Sequence, residues 1–169
     1  VPLYLLCQTA SQEVSVIFNG EGGDQLFGGW TNKPIIAASV YNYQRNFTQQ
    51  YLQTFHKLWG YERQVFQLDF YQKVQNISAE KWIEYALDDA FCSGLIHKLR
   101  RATLMLKGAQ NIHPRATNLA FSHGLFVRSP FCDLALAEWT FKLPGEFYLK
   151  ASKEKYILKK AVESWLPPE

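Results

Sequence analysis

The sequence predicts an α/β protein that is mostly helical and contains one or two parallel strands. Residues 14–18 form a β-branched, apolar run that Asn19 and Gly20 end, which is the pattern of a buried, parallel strand. A glycine-rich loop follows directly, and open α/β sheets bind ligands beyond the carboxyl ends of their strands. From residue 33 onwards, apolar residues recur every three or four positions, which indicates amphipathic helices.

The remaining elements are predicted from apolar periodicity and capping residues. Helices are expected over residues 3–12, 33–58 and 62–74, and a long helical segment is expected to run through residues 83–106. Further helices are expected over residues 117–125, in a segment that ends before Pro144, and in a last segment that Pro167 ends. Ser78, Asp133 and Ser152 are the expected N-caps of three of these helices. Gly108 is expected to stop the long segment, because glycine is frequent at helix C-termini.

Composition restricts the class of protein. The chain has 169 residues, 47% of them hydrophobic and 20% charged, which is normal for one soluble globular domain. A net charge of +3 does not indicate a nucleic-acid partner, and no apolar run has the length of a membrane span. The three cysteines are widely separated, so we expect reduced thiols and a cytoplasmic location.

The most informative segment is the loop at residues 19–24, whose sequence is NGEGGD. Glycines let the backbone approach a ligand and direct N–H groups at anions, and we assign this cofactor contact to Asn19, Gly20 and Gly22. Asp24 is a predicted Mg²⁺ ligand, since Mg²⁺ takes one or two protein carboxylates together with phosphates. Glu21 is a predicted general base for an attacking amine. A plain turn in which the aspartate caps the next helix fits the same pattern.

Residues 19–30, NGEGGDQLFGGW, resemble the (S/N)-G-E-G-x-D-E-x-F-G-G-Y segment of asparagine synthetases, which also follows a sheet strand. The resemblance implies that Glu21 assists amine attack and that Asp24 binds Mg²⁺. Gln25 stands where the family has a second acid, which removes one charge from the loop.

A second block, residues 122–133, resembles the end of the family's D-R-x-S-M-A-H-S-x-E-x-R-x-P-F-L-D pattern. The matching residues are His123, Arg128, Pro130, Phe131 and Asp133. The departures are Thr117 and Asn118 for Asp-Arg, and Phe126 for the glutamate. The resemblance places that glutamate near the acceptor side of the site, so Phe126 removes a carboxylate there and argues against aspartate as the substrate. Packing by the Pro-Phe pair, and contacts of Arg128 with a carboxylate or carbonyls, are the expected structural roles.

The third block, residues 150–161, is similar to the family's K-x-x-x-E-K-Y-x-L-R-x-A. It places the family's catalytic lysine at Lys155. A lysine near a helix start lies beside the positive end of the helix dipole, which is poor placement for stability alone. A cation directed at the leaving pyrophosphate would explain it. The neighbouring lysines, and the run at residues 98–101, are interpreted as solvated helix faces.

The resemblance implies an adenine-nucleotide alpha-hydrolase-like (Rossmann-like) synthetase domain. Residues 1–169 would be part of that domain and would lack its upstream pyrophosphate loop, S-G-G-x-D-S, and the glutaminase domain. The implied activity is ligation: ATP and Mg²⁺ support adenylation of a carboxylate, aspartate or a related one, and the acyl group passes to ammonia from glutamine. The chain alone would be inactive, and a homodimer is one option for the intact parent.

Two alternatives stay open. The parent could be a biosynthetic amide ligase or a peptide-modifying amidotransferase of the same fold, acting on another carboxylate. It could also be a non-catalytic, degenerate paralogue whose helical body serves protein contacts. Histidines at positions 56, 97 and 113 lack ligand spacing, so no metal–histidine site is predicted.

Overall fold

The computed structural model describes residues 2–29, 48, 51–52, 58–88, 90–92 and 94–167. The chain divides into two compact units, one formed by Val1–Gly29 with Cys92–Glu169 and the other by Trp30–Phe91. The helix predicted over residues 33–58 lies almost entirely outside the described residues. Within the described ranges, no helix has the length and apolarity needed to cross a membrane.

The described part of the chain is mostly helical. Its α-helices are α1 (Pro2–Ala10), α2 (Gly23–Phe27), α3 (Glu62–Val65), α4 (Leu68–Val74), α5 (Ala79–Ala86), α6 (Leu95–Ala102), α7 (His113–Ser122), α8 (Leu134–Lys142) and α9 (Tyr156–Val162). Its strands are β1 (Val16–Phe18), β2 (Phe126–Arg128), β3 (Leu149–Lys150) and β4 (Lys153–Glu154). A π-helix covers Thr103–Ile112, and 3₁₀ turns cover Pro130–Cys132 and Gly145–Phe147.

The predicted strand exists and is parallel. β1 pairs with β2 so that Val16 lies opposite Phe126. The expectation of a buried strand is wrong for Val16 and Phe18, which are 42% and 77% exposed. The reason is that α1 and α7 cover one face of this two-stranded sheet, where Ile17 packs on a core of buried residues from α1 and α7. β2 carries no sequence signal of comparable strength, and it was not predicted.

Two predicted helices of the middle region are interrupted. The segment predicted over residues 62–74 is two short helices, α3 and α4, because Phe66 has an extended backbone between them. The long segment predicted through residues 83–106 breaks after α5, and α6 begins behind Gly94, which is also extended. Ser78 occupies the N-cap position of α5, but its hydroxyl donates to the Glu80 carboxylate and not to the helix backbone.

Gly108 was predicted to end its helix, and this prediction is wrong. The residue lies inside the π-helix, which continues into α7. A Cβ at Gly108 would lie 3.2 Å from Nε2 of His113 and 3.6 Å from Cγ of Gln25. Glycine therefore serves close packing here. The same continuity makes the helix predicted over 117–125 begin earlier, at His113, and end at Ser122.

Of the two N-caps predicted in the C-terminal part of the chain, one is confirmed and one is wrong. Asp133 caps α8, since its Oδ1 accepts a hydrogen bond of 2.7 Å from the Leu136 amide. Ser152 does not cap the last helix, because residues 149–154 form an antiparallel hairpin whose two-residue loop contains Ser152. The N-cap position of α9 belongs to Lys155.

The hairpin loop makes a testable prediction about stability. Ala151 has a φ of 52°, in the left-handed region that costs a non-glycine residue about 1–2 kcal/mol. Ala151→Gly should therefore raise the free energy of unfolding in urea by about 0.5–1 kcal/mol, after the entropy cost of glycine. The matched control is Ala135→Gly in α8, where the same change should destabilise. A loss of stability in Ala151→Gly would contradict the strain.

Candidate active site

One pocket brings together every residue that the sequence assigned to the site. It has a volume of about 420 Å³ and lies in the unit formed by the two ends of the chain. The predicted residues that line it are Asn19, Gly20, Glu21, Gly22, Asp24 and Lys155. The first five belong to the loop after β1 and the start of α2, and Lys155 comes from the start of α9. Gly23, Gln25, Phe131 and Leu158 complete the lining and were not predicted as site residues.

Asn19 holds the loop to β2 at the carboxyl end of the parallel pair. Its amide donates to the Arg128 carbonyl at 3.0 Å, which extends the ladder by one residue. Its side-chain oxygen accepts 2.7 Å from the Ser129 hydroxyl and 3.3 Å from the Glu21 amide. The side chain of Asn19 is therefore used to fix the loop, and Ser129 is a supporting residue that the sequence did not single out.

The turn into α2 needs glycine for two physical reasons. Gly22 has a φ of 96°, which side chains rarely adopt, and a Cβ there would lie 3.1 Å from the Phe131 carbonyl oxygen. Gly23 packs directly under the Phe131 ring, which also meets Phe27 edge-on at 5.8 Å between centroids. The packing role expected of Phe131 is thus confirmed, and its packing partners are the glycines of the loop.

Asp24 and Lys155 form an ion pair inside the pocket. Nζ of Lys155 lies 2.5 Å from Oδ1 of Asp24, and the two side chains are 30% and 58% exposed. Lys155 reaches this position from a left-handed backbone, with φ 54° and ψ 34°. Such strain costs on the order of 1–3 kcal/mol and is concentrated at functional sites. Hard carboxylate oxygens suit Mg²⁺, and a lysine ammonium is a common ligand for phosphate.

A buried arginine supports the loop from the other side. Arg100 is fully buried, so the expected solvated face at residues 98–101 is wrong for it, and Lys98 is also buried. The Nε of Arg100 donates to the Gln25 carbonyl at 3.4 Å. The two terminal nitrogens of Arg100 donate to the carbonyl and the hydroxyl of Thr140. The guanidinium thereby ties α8 to the residue next to Asp24.

The surroundings of Arg100 are aromatic. Its Cζ lies 4.2 Å from the centroid of Phe141 and 4.0 Å from that of Tyr148, so the cation is sandwiched between two rings. Burial lowers the pKa of Arg100 to about 10, because the charged form loses hydration. Burial, and secondly the Arg100 charge, hold the pKa of His97 below its usual 6.5, so this ring is neutral at pH 7.

Comparison with known proteins identifies the family of this chain. The family model described as asparagine synthase matches residues 1–169, the whole chain. The chain belongs to the asparagine synthase family. It is 27% identical over 172 residues to asparagine synthetase [glutamine-hydrolyzing] 3 of Bacillus subtilis (strain 168). The match covers 99% of this chain and 26% of that relative, so the chain spans about a quarter of the relative's length. Among solved structures, none matches significantly.

The family assignment gives meaning to the positions where this chain departs from the asparagine synthetase pattern. Gln25 is 2% exposed and its Oε1 has no hydrogen-bond partner among the described residues. A neutral amide avoids the cost of burying a charge at this position. Phe126 lies on β2, half exposed against Phe121 at 5.9 Å between ring centroids, and is not one of the pocket-lining residues.

Apart from Phe131, the matched residues of the second asparagine synthetase block are not among the pocket-lining residues. Arg128 donates to the Val127 carbonyl at 3.3 Å, which agrees with the expected contact with a carbonyl. His123 packs edge-on against Tyr4 with ring centroids 4.4 Å apart. These residues connect β2 and α7 to their neighbours and do not reach the pocket lining.

Cys132 contacts the backbone of the loop at residues 19–24. Its Sγ is 3.6 Å from the Glu21 carbonyl oxygen and 3.3 Å from Nδ1 of His113. Burial raises the pKa of the Cys132 thiol, which keeps it protonated at neutral pH. Nothing in the sequence pattern indicated that Cys132 and His113 would meet.

Another pocket, of about 390 Å³, lies in the unit formed by Trp30–Phe91. Trp59 and Tyr71 line it together with the carboxylate-bearing Glu62 and Glu80. None of the residues assigned from the asparagine synthetase pattern lies in it. The residues assigned from the sequence therefore line the pocket of Asp24 and Lys155 and not this second pocket.

Proposed function

We propose that the protein containing this chain is an ATP-dependent, amide-forming ligase. It adenylates a carboxylate, aspartate or a related one, and passes the acyl group to ammonia derived from glutamine. The observation that carries the proposal is the convergence of Glu21, Asp24 and Lys155, from distant parts of the chain, on one pocket. Membership of the asparagine synthase family and the relative's printed name support it.

We propose further that residues 1–169 are part of an adenine-nucleotide alpha-hydrolase-like, Rossmann-like synthetase domain. The parallel pairing of β1 with β2, and a glycine-rich loop at the carboxyl end of β1, support this fold. The pyrophosphate loop and the glutaminase domain would come from the rest of the protein. The 26% coverage of the relative leaves ample length for both.

Asp24 is the proposed Mg²⁺ ligand. The residues present fit the ion, because Oδ1 of Asp24 lies in the pocket lining, where it contacts the Lys155 ammonium. Mg²⁺, when bound, would neutralise charge on the ATP phosphates. Lys155 would stabilise the charge that develops on pyrophosphate as the carboxylate oxygen attacks the α-phosphorus. The backbones of Asn19, Gly20 and Gly22, which line the pocket, would adjoin the AMP portion.

Glu21 is the proposed general base of the second step. It is partly buried and lies in the pocket lining, two residues after the anchored Asn19. As the ammonia nitrogen bonds to the acyl carbon, the carbon–oxygen bond to AMP breaks and Glu21 takes the proton that the nitrogen loses. Because the nitrogen has lost this proton, it is a poor leaving group, and the acyl group does not return to AMP.

Two departures from the family pattern support one of the alternatives. Phe126 and Gln25 replace family acids, which favours a biosynthetic or peptide-modifying amide ligase with a different carboxylate. A degenerate paralogue would keep the fold without binding nucleotide. Calorimetric titration of the full-length protein with MgATP separates these: binding supports either ligase, and absence of binding favours the paralogue.

The ligase proposal predicts that Asp24→Asn abolishes catalysis in the full-length protein. Pyrophosphate release from ATP, measured with aspartate and glutamine present, should fall by about 100-fold or more, because the charge that holds the metal is lost. The matched control is Asp69→Asn, an exposed aspartate of the other unit, which should leave the rate unchanged. Wild-type turnover in Asp24→Asn would refute the metal assignment.

A further inference from the structure

Gly29 follows α2 and faces both members of the ion pair. Its amide donates to the Asp24 carbonyl at 2.9 Å, so its position relative to Asp24 is fixed by the end of the helix. A Cβ built on Gly29 would collide with Cε of Lys155 and with Oδ1 of Asp24, and would lie 3.0 Å from Nζ of Lys155. The space that a side chain would fill is the space through which the lysine reaches the carboxylate.

The two successive glycines at this helix end serve different purposes. Gly28 has a φ of 71° and is the left-handed C-cap of α2, a conformation that favours glycine. Gly29 has no such φ, and its backbone accepts other residues. At position 29 a side chain would therefore disturb the contact between Lys155 and Asp24, and not the backbone conformation.

We infer that Gly29 is a positioning residue for Lys155. Because Gly29 has no side chain, Lys155 can reach Asp24, and the ion pair then holds the ammonium inside the pocket. The role rests on the function proposed above, because it places the lysine that would face pyrophosphate. The atoms that a Cβ would meet on Lys155 are at the end of a flexible side chain. Gly29→Ala should therefore displace the lysine at little cost to the fold.

The test measures the lysine directly. Full-length protein, free of nucleotide, is treated with an acylating reagent, and modification of individual lysines is followed by mass spectrometry. Gly29→Ala should raise the labelling rate of Lys155 about two- to fivefold, the range expected when a partly exposed ion pair is lost. Asp24→Asn should raise it equally. Lys159, an exposed lysine of the same helix, is the internal reference.

The matched control is Gly94→Ala. Gly94 also has an unstrained φ, and its Cβ would make only an ordinary contact of 3.5 Å with His97. The labelling of Lys155 should not change in this variant. Unchanged labelling in Gly29→Ala, with a rise in Asp24→Asn, would overturn the positioning role. Unchanged labelling in both would show that the pair does not form in solution, which overturns it as well.

A double-mutant cycle keeps the inference testable if Gly29→Ala proves unstable. Lys155→Ala removes the atoms that the new Cβ meets on the lysine, so Gly29→Ala should lower Tm less in that background than in wild type. Equal losses of Tm would contradict the contact.

Kinetics separate this inference from the proposed function. In ATP–pyrophosphate exchange, Gly29→Ala should lower kcat at least about tenfold and leave the KM for ATP within about twofold, as expected when a transition-state contact is lost. If wild type shows no exchange while labelling behaves as expected, the ligase proposal fails and the positioning of Lys155 by Gly29 stands. Exchange at the wild-type kcat in Gly29→Ala, with Lys155 displaced, would overturn the functional part of the inference.

Discussion

Lys155→Met should lower kcat for ATP-dependent pyrophosphate release by about 100- to 1000-fold in the full-length protein, because a preorganised charge facing a leaving group contributes this much. Methionine keeps most of the length of the side chain and removes the ammonium. The KM for ATP should change much less, since charge on the leaving oxygen is fully developed only in the transition state.

The control for this variant comes from the same helix. Lys159 lies one turn after Lys155 and its side chain is exposed. Lys159→Met removes the same charge from the basic face without touching the pocket, so kcat should stay within about twofold of wild type. Equal losses in both variants would mean that general basicity of the helix, and not the position of Lys155, supports the reaction.

The backbone of Lys155 sharpens the interpretation. Its left-handed conformation is costly for lysine and would suit glycine. Lys155→Gly should therefore be more stable than Lys155→Ala by about 1 kcal/mol in urea unfolding, while both lose pyrophosphate release. A gain of stability in Lys155→Gly together with loss of pyrophosphate release would support the proposed catalytic role of Lys155.

Local sequence patterns singled out residues that lie together in the structure, but they predicted the elements around those residues less well. The loop at residues 19–24 and Lys155 were recognised from short, dense motifs, and the structure places them in one pocket. Their roles in catalysis stay predictions. Ser129 and Gly29 could not be recognised in the same way, because their importance depends on contacts with residues far along the chain.

Two errors at predicted helix ends, Gly108 and Ser152, arise because a local signature is overridden. Gly108 has the local signature of a helix end, but packing of His113 and Gln25 against it overrides that preference. Ser152 has the signature of an N-cap, but strand pairing between Leu149–Lys150 and Lys153–Glu154 places it in a loop. Packing decided between two local structures at Gly108, and hairpin pairing decided between them at Ser152.

Arg100 shows the same limit most clearly, and it gives the largest expected effect on stability. A basic run on an amphipathic helix normally faces water, yet this guanidinium is fully buried. Arg100→Ala should lower the free energy of unfolding by about 3–5 kcal/mol, since it opens a cavity between two rings and leaves the Gln25 carbonyl without its donor. Urea unfolding measures the loss.

A second variant divides this effect into its parts. Arg100→Met fills the space between Phe141 and Tyr148 but donates no hydrogen bonds, so we expect a loss of about 1–3 kcal/mol from the unsatisfied acceptors. Arg115→Met, an exposed arginine of α7, is the control and should stay within about 0.5 kcal/mol of wild type. If Arg100→Met is as stable as wild type, the free-energy cost of burying the charge equals the stabilisation from its hydrogen bonds and ring contacts.

The position of Arg100 connects this stability to the site. Its Nε holds the carbonyl of Gln25, and the next residue towards the N-terminus is Asp24. Relative to wild type, Arg100→Met should therefore increase the deuterium exchange of the α2 amides more than that of the α1 amides. Helix α1 packs against α7 in another part of the same unit. An equal increase in both helices would mean that the arginine stabilises the fold without holding the loop that carries Asp24.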